Sequence, residues 1–336
     1  MFSQRFESRF RFEKVLVLFS LLFVHCSLFK ILHYLCHMKR RQAWIHALRL
    51  RTLPLSLSGI ILGSGIAASK GFSNGMILGL ALLTTVLFQI LSNLANDLGD
   101  SLKGTDNAQR IGPMRSVQSG VITASEMKNA VIFTAVLSLF SASLLIYFGT
   151  KGLTNPVLLT YVFLAIACII AAISYTVGKR AYGYHGMGDL MVLIFFGGVS
   201  VLGVYPLYTK QFDWLLLLPA FTIGSLSTAV LNLNNMRDRI NDERSGKRTL
   251  VVMMGPNLAK FYHVFLILSG IACLFIYLFQ IQNQWAFIGL APCSVLLIHV
   301  RKVMATRNPA DFDPELKKVA LSTFAVAVLT ALFLQL

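Results

Sequence analysis

Two polar runs interrupt an otherwise apolar chain, and each places aspartates directly after a long hydrophobic segment. The first, NLANDLGDSLKGTDNAQRIGPMR, begins at position 93 and contains Asp97, Asp100 and Asp106. The second, NLNNMRDRINDERSGKRTL, begins at position 232 and contains Asp238 and Asp242. Carboxylates are costly beside a lipid bilayer, so acids that recur at the ends of apolar segments indicate a function.

The spacing of these acids favours a bound cation. Two aspartates of the first run are three residues apart and those of the second are four apart, and both spacings place a pair on one face of a helix. Paired carboxylates repel unless a cation neutralises them. Oxygen ligands without His or Cys suit Mg²⁺, which keeps waters and bridges to phosphate oxygens. The predicted metal ligands are Asn96, Asp97, Asp100, Asn235, Asp238 and Asp242.

Basic residues in the same two runs supply the complement to a phosphate group. Arginine binds phosphate in a bidentate fashion, and lysine provides a compact positive charge. Carboxylates for a metal and cations for phosphate together predict a diphosphate bound at a membrane surface, with two similar halves around one central pocket. The residues expected to contact the substrates include Asn96, Lys103, Asp106, Arg110, Arg115, Asn235, Arg237 and Lys247.

The composition predicts a polytopic membrane protein with a single membrane domain. The chain has 336 residues, of which 56% are hydrophobic and 13% are charged, whereas about 25% are charged in soluble domains. A helix needs about 20 apolar residues to cross a bilayer. Nine segments fit, at 53–69, 76–96, 128–149, 155–177, 187–208, 214–235, 260–281, 284–300 and 318–335. We therefore expect an all-α fold of nine transmembrane helices around a central pocket.

The basic residues are distributed between the predicted loops in a way that indicates orientation. One side carries nearly all of them, whereas the other side has only Lys70, Lys151 and Lys210. The positive-inside rule places the basic side on the cytoplasmic face of a cell membrane. The N-terminus is then inside, the C-terminus outside, and both acidic runs face the cytoplasm. The formal charge of +16 is thereby explained without a nucleic-acid partner.

The remaining reactive side chains are interpreted as structural. The five cysteines form no CxxC pair and the seven histidines form no ligand cluster, which gives no support to a zinc site or a disulfide framework. Asp311, Asp313 and Glu315 lie near prolines without the pattern of the two runs. We expect them in an ordinary loop, and Asp213 in a short turn.

Residues 1–37 are predicted to be an extension outside a single domain at 38–336. Their apolar stretch, VLVLFSLLFVHCSLFKILHYLC, is typical of a signal peptide or of a tenth span. A cleavage site is not evident, however, and a tenth span would reverse the charge pattern. The alternative is that Met38 is the true start of the protein.

At these motifs the chain resembles the UbiA-type intramembrane prenyltransferases, and within them the 1,4-dihydroxy-2-naphthoate polyprenyltransferase branch. The resemblance covers about residues 42–336 and includes the opening LRLRTLP with Arg51. The first run matches at Asn96, Asp97, Asp100, Gly104, Asp106, Arg110, Gly112, Pro113, Arg115 and Gly120. The second matches at Asn234, Asn235, Arg237, Asp238, Asp242, Gly246, Lys247, Thr249 and Leu250. A third stretch, YTVGKRAYGYHGMGDLMVLIFFG, matches at Tyr175, Gly178, Tyr182, Gly183, Gly188, Asp189, Phe196 and Gly197.

The resemblance implies transfer of a polyprenyl group from polyprenyl diphosphate to 1,4-dihydroxy-2-naphthoate in the lipid bilayer, with loss of carbon dioxide to give demethylmenaquinone. It implies Mg²⁺ on the aspartates of both runs, assisted by Lys103, Arg115 and Lys247, so that the allylic diphosphate ionises once its charge is neutralised. The four aspartates of the metal set are therefore expected to be catalytic. The apolar spans would keep the carbocation from water.

Tyr175 and Asp189 are the catalytic candidates on the acceptor side, where Asp189 would orient or deprotonate a phenol. The alternative for Asp189 is an ion pair with Lys179 or Arg180. Arg51 is expected to contact the diphosphate or the acceptor carboxylate, or to anchor the chain on the basic side.

Four neighbouring residues receive weaker interpretations. Tyr182 and Tyr184 are typical of the aromatic belt at a membrane interface. His185 is interpreted as a solvated histidine rather than a base. Phe195 and Phe196 either line the path of the carbocation or pack against lipid and helices.

Two other functions stay open at this point. The first is prenyl transfer to another aromatic acceptor such as 4-hydroxybenzoate, against which the glycine at 104 followed by Asp106 argues. The second is an ion-coupled transporter, which also uses intramembrane acids and repeated halves. The acids of this chain cluster at one surface rather than at the midplane, which favours the enzyme.

Overall fold

The structure is a computed structural model that describes residues 39–107, 111 and 114–336. The described residues form helices joined by turns and short connections, and they include no β-strand. Nine helices in this part of the chain are long and apolar enough to cross a membrane, which confirms the predicted all-α polytopic fold. They are α1 (Lys39–Ser69), α2 (Gly75–Leu102), α3 (Ala124–Gly149), α4 (Asn155–Ser174), α5 (Gly188–Thr209), α6 (Trp214–Arg244), α7 (Pro256–Ile281), α8 (Trp285–Ala305) and α9 (Pro309–Phe333). The expectations about residues 1–37, Met38 and Arg110 concern positions outside the described residues.

The helices α2 and α6 extend further than the predicted spans. The apolar pattern predicts that they end near residues 96 and 235, but the helices continue to Leu102 and Arg244. Each is followed by a glycine with positive φ, Gly104 (71°) and Gly246 (72°), a conformation that ends helices at little cost. All aspartates of the two runs except Asp106 therefore lie on helical turns rather than in loops.

The spans α1 and α5 each contain an irregular segment in their interior. In α1, Arg49 has a left-handed backbone (φ 47°), and a 3₁₀ turn at Leu50–Thr52 precedes the regular helix Leu53–Ser69. The middle of α5 is a π-helix, Leu193–Leu202, between two α-helical segments. Departures of this kind within a helix often mark functional sites.

The helices pack as two groups with α1 and α5 between them. α2 packs against α3 and α4, whereas α6 packs against α7 and α9, and α8 packs against α9. α1 contacts α2, α5 and α9, and α5 contacts α6. A Cβ atom at Gly197 would lie 2.3 Å from the carbonyl oxygen of Ala220, so glycine is needed where α5 crosses α6. The two polar runs therefore belong to different groups of helices.

A chain of buried polar side chains links α6, α7, α8 and α9. His263 Nδ1 lies 3.2 Å from Asn232 Oδ1, and His263 Nε2 lies 2.8 Å from His299 Nε2. His299 Nδ1 in turn lies 2.6 Å from Glu315 Oε2. Buried polar groups are stable only when they are hydrogen-bonded, so this chain fixes the four helices against one another.

The expectation of an ordinary loop at residues 311–315 is wrong. Pro309–Phe312 forms a 3₁₀ turn, and the regular helix of α9 begins at Asp313. Glu315 is fully buried and pairs with Lys302 and Lys318 at 2.8 and 2.7 Å. This arrangement could not be predicted from the sequence, because the partners of Glu315 come from another turn of α9 and from another helix. By contrast, Asp213 begins a short turn as predicted, where its side chain accepts the Leu215 N–H.

Candidate active site

A cavity of about 550 Å³ lies between the two groups of helices. One end, here called the charged end, is where α2 and α6 terminate and α9 begins. The polar side chains that line it include Arg49, Arg51, Gln89, Asn96, Asp100, Asp106, Arg115, Asn234, Asp238, Asp242, Lys247 and Asp313. The remainder of the wall is mainly apolar, and along α4 it extends from Tyr175 to Tyr161, about 21 Å of helix at 1.5 Å per residue.

The first polar run contributes Asn96 and Asp100, which lie one helical turn apart on α2 and both line the cavity. Asp97 lies on another face of the helix. Its carboxylate oxygens accept the backbone N–H groups of Ser116 at 3.1 Å and Val117 at 3.4 Å. Asp97 therefore holds the segment that returns after the run, and the structure does not bring it to the cavity wall.

That segment adds two further charged groups to the cavity. Asp106 and Arg115 both line it, with Arg115 Nε 3.7 Å from Asp106 Oδ1. Lys103, which was expected to assist the diphosphate, does not line the cavity. Its ammonium instead lies over the ring of Tyr184, 3.9 Å from the ring centroid.

The second run contributes Asn234, Asp238 and Asp242, which succeed one another at intervals of four residues on α6 and all line the cavity. Asn235, the predicted ligand, is buried outside this wall. Sequence reasoning missed Asn234, although the four-residue interval to both aspartates was a signal that could have identified it.

Arg237 lies outside the cavity wall and orients the residues that form it. It is only 2% exposed, and its guanidinium donates to both oxygens of Asp238, at 2.9 and 2.7 Å. It also donates to Asn234 Oδ1 at 2.8 Å and forms an ion pair with Asp313 of α9. Arg237 therefore fixes two cavity residues of α6 and ties this helix to α9.

Lys247 joins the two runs. Its Nζ lies 3.9 Å from Asp100 Oδ2 of the first run and 3.9 Å from Asp242 Oδ1 of the second. Burial opposes the charge of this ammonium, but the two carboxylates outweigh burial and raise the pKa of Lys247, so it stays cationic at neutral pH. One buried cation is thus shared by carboxylates from both groups of helices.

Tyr184, which was interpreted as a residue of the aromatic belt at a membrane interface, is buried within the protein. It is 8% exposed, and its hydroxyl donates to Asp100 Oδ1 at 2.8 Å. Burial, followed by the nearby Asp100 carboxylate, raises the pKa of Tyr184, so the phenol remains a donor. Tyr182 lines the cavity, and its hydroxyl donates to the Ala171 carbonyl at 2.9 Å. His185 is exposed, in agreement with its interpretation as a solvated residue.

The predicted acceptor residues are placed differently from one another. Tyr175 lines the cavity and packs edge-to-face on Tyr182, with ring centroids 5.3 Å apart. Burial raises the pKa of Tyr175 to about 12, so it is protonated at neutral pH. Asp189 is buried outside the cavity wall and hydrogen-bonds Tyr262 of α7. Arg51 lines the cavity together with Arg49.

The donors at the charged end fit Mg²⁺ bound together with a diphosphate. Within the described ranges, no three His, Cys, Asp or Glu side chains are grouped so that they could hold a metal by themselves. Carboxylate and amide oxygens from both runs nevertheless line one cavity beside Lys247 and Arg115. Mg²⁺ usually takes one or two carboxylates and completes its shell with water and phosphate oxygens. The residues that would hold it are Asn96, Asp100, Asn234, Asp238 and Asp242.

Comparisons with known proteins identify the family of this chain. Residues 56–333 match the model of the UbiA prenyltransferase family. A 1,4-dihydroxy-2-naphthoate octaprenyltransferase of Escherichia coli K12 is 44% identical over 280 residues, which cover 83% of this chain and 90% of that protein. One from Mycobacterium leprae is 33% identical over 302 residues, covering 87% and 96% of the two chains.

Solved structures share the fold at low sequence identity. The apo structure of a UbiA homologue from Aeropyrum pernix K1 superposes with a TM-score of 0.63 at 14% identity, covering 85% of this chain and 97% of that one. A UbiA homologue from Archaeoglobus fulgidus, solved with DMAPP and Mg²⁺, gives a TM-score of 0.57 at 14% identity, covering 84% and 98%. The family match, the curated relatives and the shared fold show that this chain belongs to the UbiA prenyltransferase family.

Proposed function

We propose that the protein transfers a polyprenyl group from polyprenyl diphosphate to 1,4-dihydroxy-2-naphthoate, with loss of carbon dioxide to give demethylmenaquinol, the reduced form of demethylmenaquinone. The observation that carries this proposal is the meeting of both acidic runs around Lys247 at the charged end of a long apolar cavity. The acceptor is inferred from the relatives, because proteins that are similar over nearly their whole length are named for this reaction.

The charged end is suited to the diphosphate. Asp100, Asp238 and Asp242 would hold Mg²⁺, which neutralises the leaving diphosphate when bound. Lys247 and Arg115 present cations from the same wall and would contact phosphate oxygens directly. Because these groups are fixed before substrate arrives, they can stabilise the charge that develops on the leaving oxygen without reorganisation.

The apolar part of the cavity is suited to the prenyl chain. Phe88, Phe195 and Phe196 line it together with aliphatic residues of α4 and α5. Such a wall binds the chain by burial of apolar surface and excludes water from the allylic cation that forms when the carbon–oxygen bond breaks.

The acceptor would enter beside the diphosphate, where Tyr175, Arg49 and Arg51 line the cavity. The arginines can hold the naphthoate carboxylate, and Tyr175 can donate a hydrogen bond to a ring hydroxyl. The ring carbon that bears the carboxylate attacks the allylic carbon, and the bond to the carboxylate then breaks and returns its electron pair to the ring. Carbon dioxide and diphosphate leave, and the ring itself neither takes up nor releases a proton. Asp189 would act on this site only through its neighbours.

The distribution of basic residues supports the orientation proposed for the bundle. The charged end would lie on the cytoplasmic side of the cell membrane, with the N-terminus inside the cell and the C-terminus outside. Diphosphate would then bind and leave on the cytoplasmic side, while the prenyl chain stays at the depth of the lipid tails.

The test is prenyl transfer by purified protein in detergent, with 1,4-dihydroxy-2-naphthoate or 4-hydroxybenzoate as acceptor and a long polyprenyl diphosphate as donor. We expect a prenylated product and carbon dioxide from the naphthoate, and loss of both when EDTA removes Mg²⁺. Product from 4-hydroxybenzoate alone would change the acceptor and keep the diphosphate site. A folded protein that gives no product with either acceptor would overturn the proposal and favour a transporter.

A further inference from the structure

Tyr184 lies where the two acidic runs meet, and the proposed reaction assigns it no part. It belongs to a short 3₁₀ turn, Tyr182–Tyr184, in the connection between α4 and α5. A buried tyrosine normally places its hydroxyl on a hydrogen-bonding partner. The partners of Tyr184 belong to the diphosphate site rather than to its own connection.

The hydroxyl of Tyr184 fixes one oxygen of Asp100. Tyr184 donates to Asp100 Oδ1 at 2.8 Å, so the Thr105 hydroxyl, 2.6 Å away, donates to Tyr184 in turn. The other oxygen of Asp100, Oδ2, lies 3.9 Å from Lys247 Nζ. The chain from Thr105 through Tyr184 therefore determines which way the Asp100 carboxylate faces and directs its second oxygen towards the second run.

The backbone around Tyr184 contacts the second run directly. The carbonyl of Tyr184 accepts the N–H of Arg248 at 3.1 Å, next to Lys247. Asn241, beside Asp242, donates to the Thr105 carbonyl at 2.9 Å. Residues that flank both groups of ligands are thus hydrogen-bonded to one another or to Tyr184.

The ring of Tyr184 lies close to a lysine from each run. Lys103 Nζ is 3.9 Å from its centroid, and Lys247 Nζ is 5.4 Å from it. Both distances fall within the range of a cation–π interaction. The ring therefore limits the positions of two cations whose mutual repulsion would otherwise separate them.

We propose that Tyr184 is a positioning residue that holds Asp100 and Lys247 at the spacing required by the diphosphate of the prenyl donor. This role rests on the proposed function, because it presumes a diphosphate at the charged end. Tyr184 acts through its neighbours and does not contact the reacting atoms.

The test compares Tyr184→Phe, which removes only the hydroxyl, with the wild type. The probe is inorganic pyrophosphate with Mg²⁺, and its binding is followed as a rise in the unfolding temperature of the detergent-solubilised protein. A hydrogen bond to a charged group contributes enough to change an equilibrium by roughly tenfold or more. We expect Tyr184→Phe to need at least about tenfold more pyrophosphate for the same rise, and the KM for prenyl diphosphate to increase more than kcat falls.

Tyr208→Phe is the matched control, because it also removes one hydroxyl, which donates to Ser64 Oγ at 3.1 Å away from the diphosphate site. Wild-type pyrophosphate binding by Tyr184→Phe, or equal losses in both variants, would overturn the proposal. If Tyr184→Phe folds poorly, Thr105→Val tests the same chain from its other end, and wild-type binding by that variant would also overturn it. Failure of the wild type itself to bind pyrophosphate would instead contradict the proposed function.

Discussion

The two acidic runs look alike in the sequence but are built differently. In the first run, Asp97 accepts two backbone N–H groups of the returning segment, and Asp100 faces the cavity. In the second run, Asp238 and Asp242 both face the cavity, and a buried arginine holds Asp238 in place. The difference shows that an aspartate following an apolar segment can serve either the fold or the site, and that the helical face decides which.

The difference arises from the segment that comes after each helix. After α2 the connection to α3 is long, and Ser116 and Val117 within it lie beside α2, where their backbone N–H groups need an acceptor. After α6 the chain turns at once at Gly246 and presents Lys247 to the carboxylates. In the first run, one of the three aspartates therefore binds the backbone of the following connection. In the second run, both aspartates face the cavity.

The largest effect is expected from removing the arginine that supports the second run. Arg237→Met leaves the Asp238 carboxylate buried without its guanidinium, and breaking a buried pair in this way costs about 3–5 kcal/mol. Chemical unfolding in detergent measures this loss. Arg239→Met is the control on the same helix, because Arg239 pairs with an exposed glutamate and should change stability by less than about 1 kcal/mol. Equal losses in both variants would contradict the supporting role of Arg237.

The next effect is expected in catalysis. Asp242→Asn removes one of the charges that face Lys247, and loss of a preorganised electrostatic group typically lowers kcat by about 10²–10³-fold, about 2.7–4 kcal/mol. Initial rates of prenyl transfer at saturating Mg²⁺ give the ratio. Asp311→Asn removes the same charge at an exposed position and should keep the wild-type rate. A rate in Asp242→Asn close to that of the wild type would remove this residue from the site.

A smaller effect is expected where α2 passes close to the connection after α4. A Cβ atom at Gly99 would lie 2.5 Å from Thr176 Oγ1 and 2.7 Å from the Thr176 backbone, so Gly99→Ala should destabilise the protein by about 1–3 kcal/mol. Gly79→Ala on the same helix has open space around it and should be neutral or stabilising. Unfolding temperatures of the two variants compare them directly, and a wild-type temperature for Gly99→Ala would contradict the close approach.

The smallest effect is expected from Asp97→Asn. The asparagine keeps one oxygen for the Ser116 N–H and loses the charge, so we expect a stability loss of about 1–2 kcal/mol and less than about tenfold slower prenyl transfer. The Mg²⁺ concentration for half-maximal rate should stay that of the wild type. A large rise in that concentration would show that Asp97 is a ligand after all, as its position in the run first indicated.

The nine spans were predictable because each must supply about 20 apolar residues, and that signal is strong in any single sequence. The ends of α2 and α6 were not predictable, because the apolar pattern stops before the last helical turns while the backbone hydrogen bonds of the helix continue. Asn234 could have been predicted as a cavity residue, because it precedes Asp238 by the same four-residue interval that separates Asp238 from Asp242. The contacts of Arg237 with Asp313 and of Tyr184 with Asp100 join residues that are distant in the sequence, so no local sequence pattern predicts them.

One measurement tests directly whether the two runs form a single metal–diphosphate site. Mn²⁺ can replace Mg²⁺ at oxygen ligands, and electron paramagnetic resonance reports how much of it is bound with pyrophosphate present. We expect bound Mn²⁺ in the wild type and in Asp97→Asn, and its loss in both Asp100→Asn and Asp242→Asn. Loss in Asp97→Asn together with wild-type binding in Asp242→Asn would contradict the assignment of the cavity-facing residues.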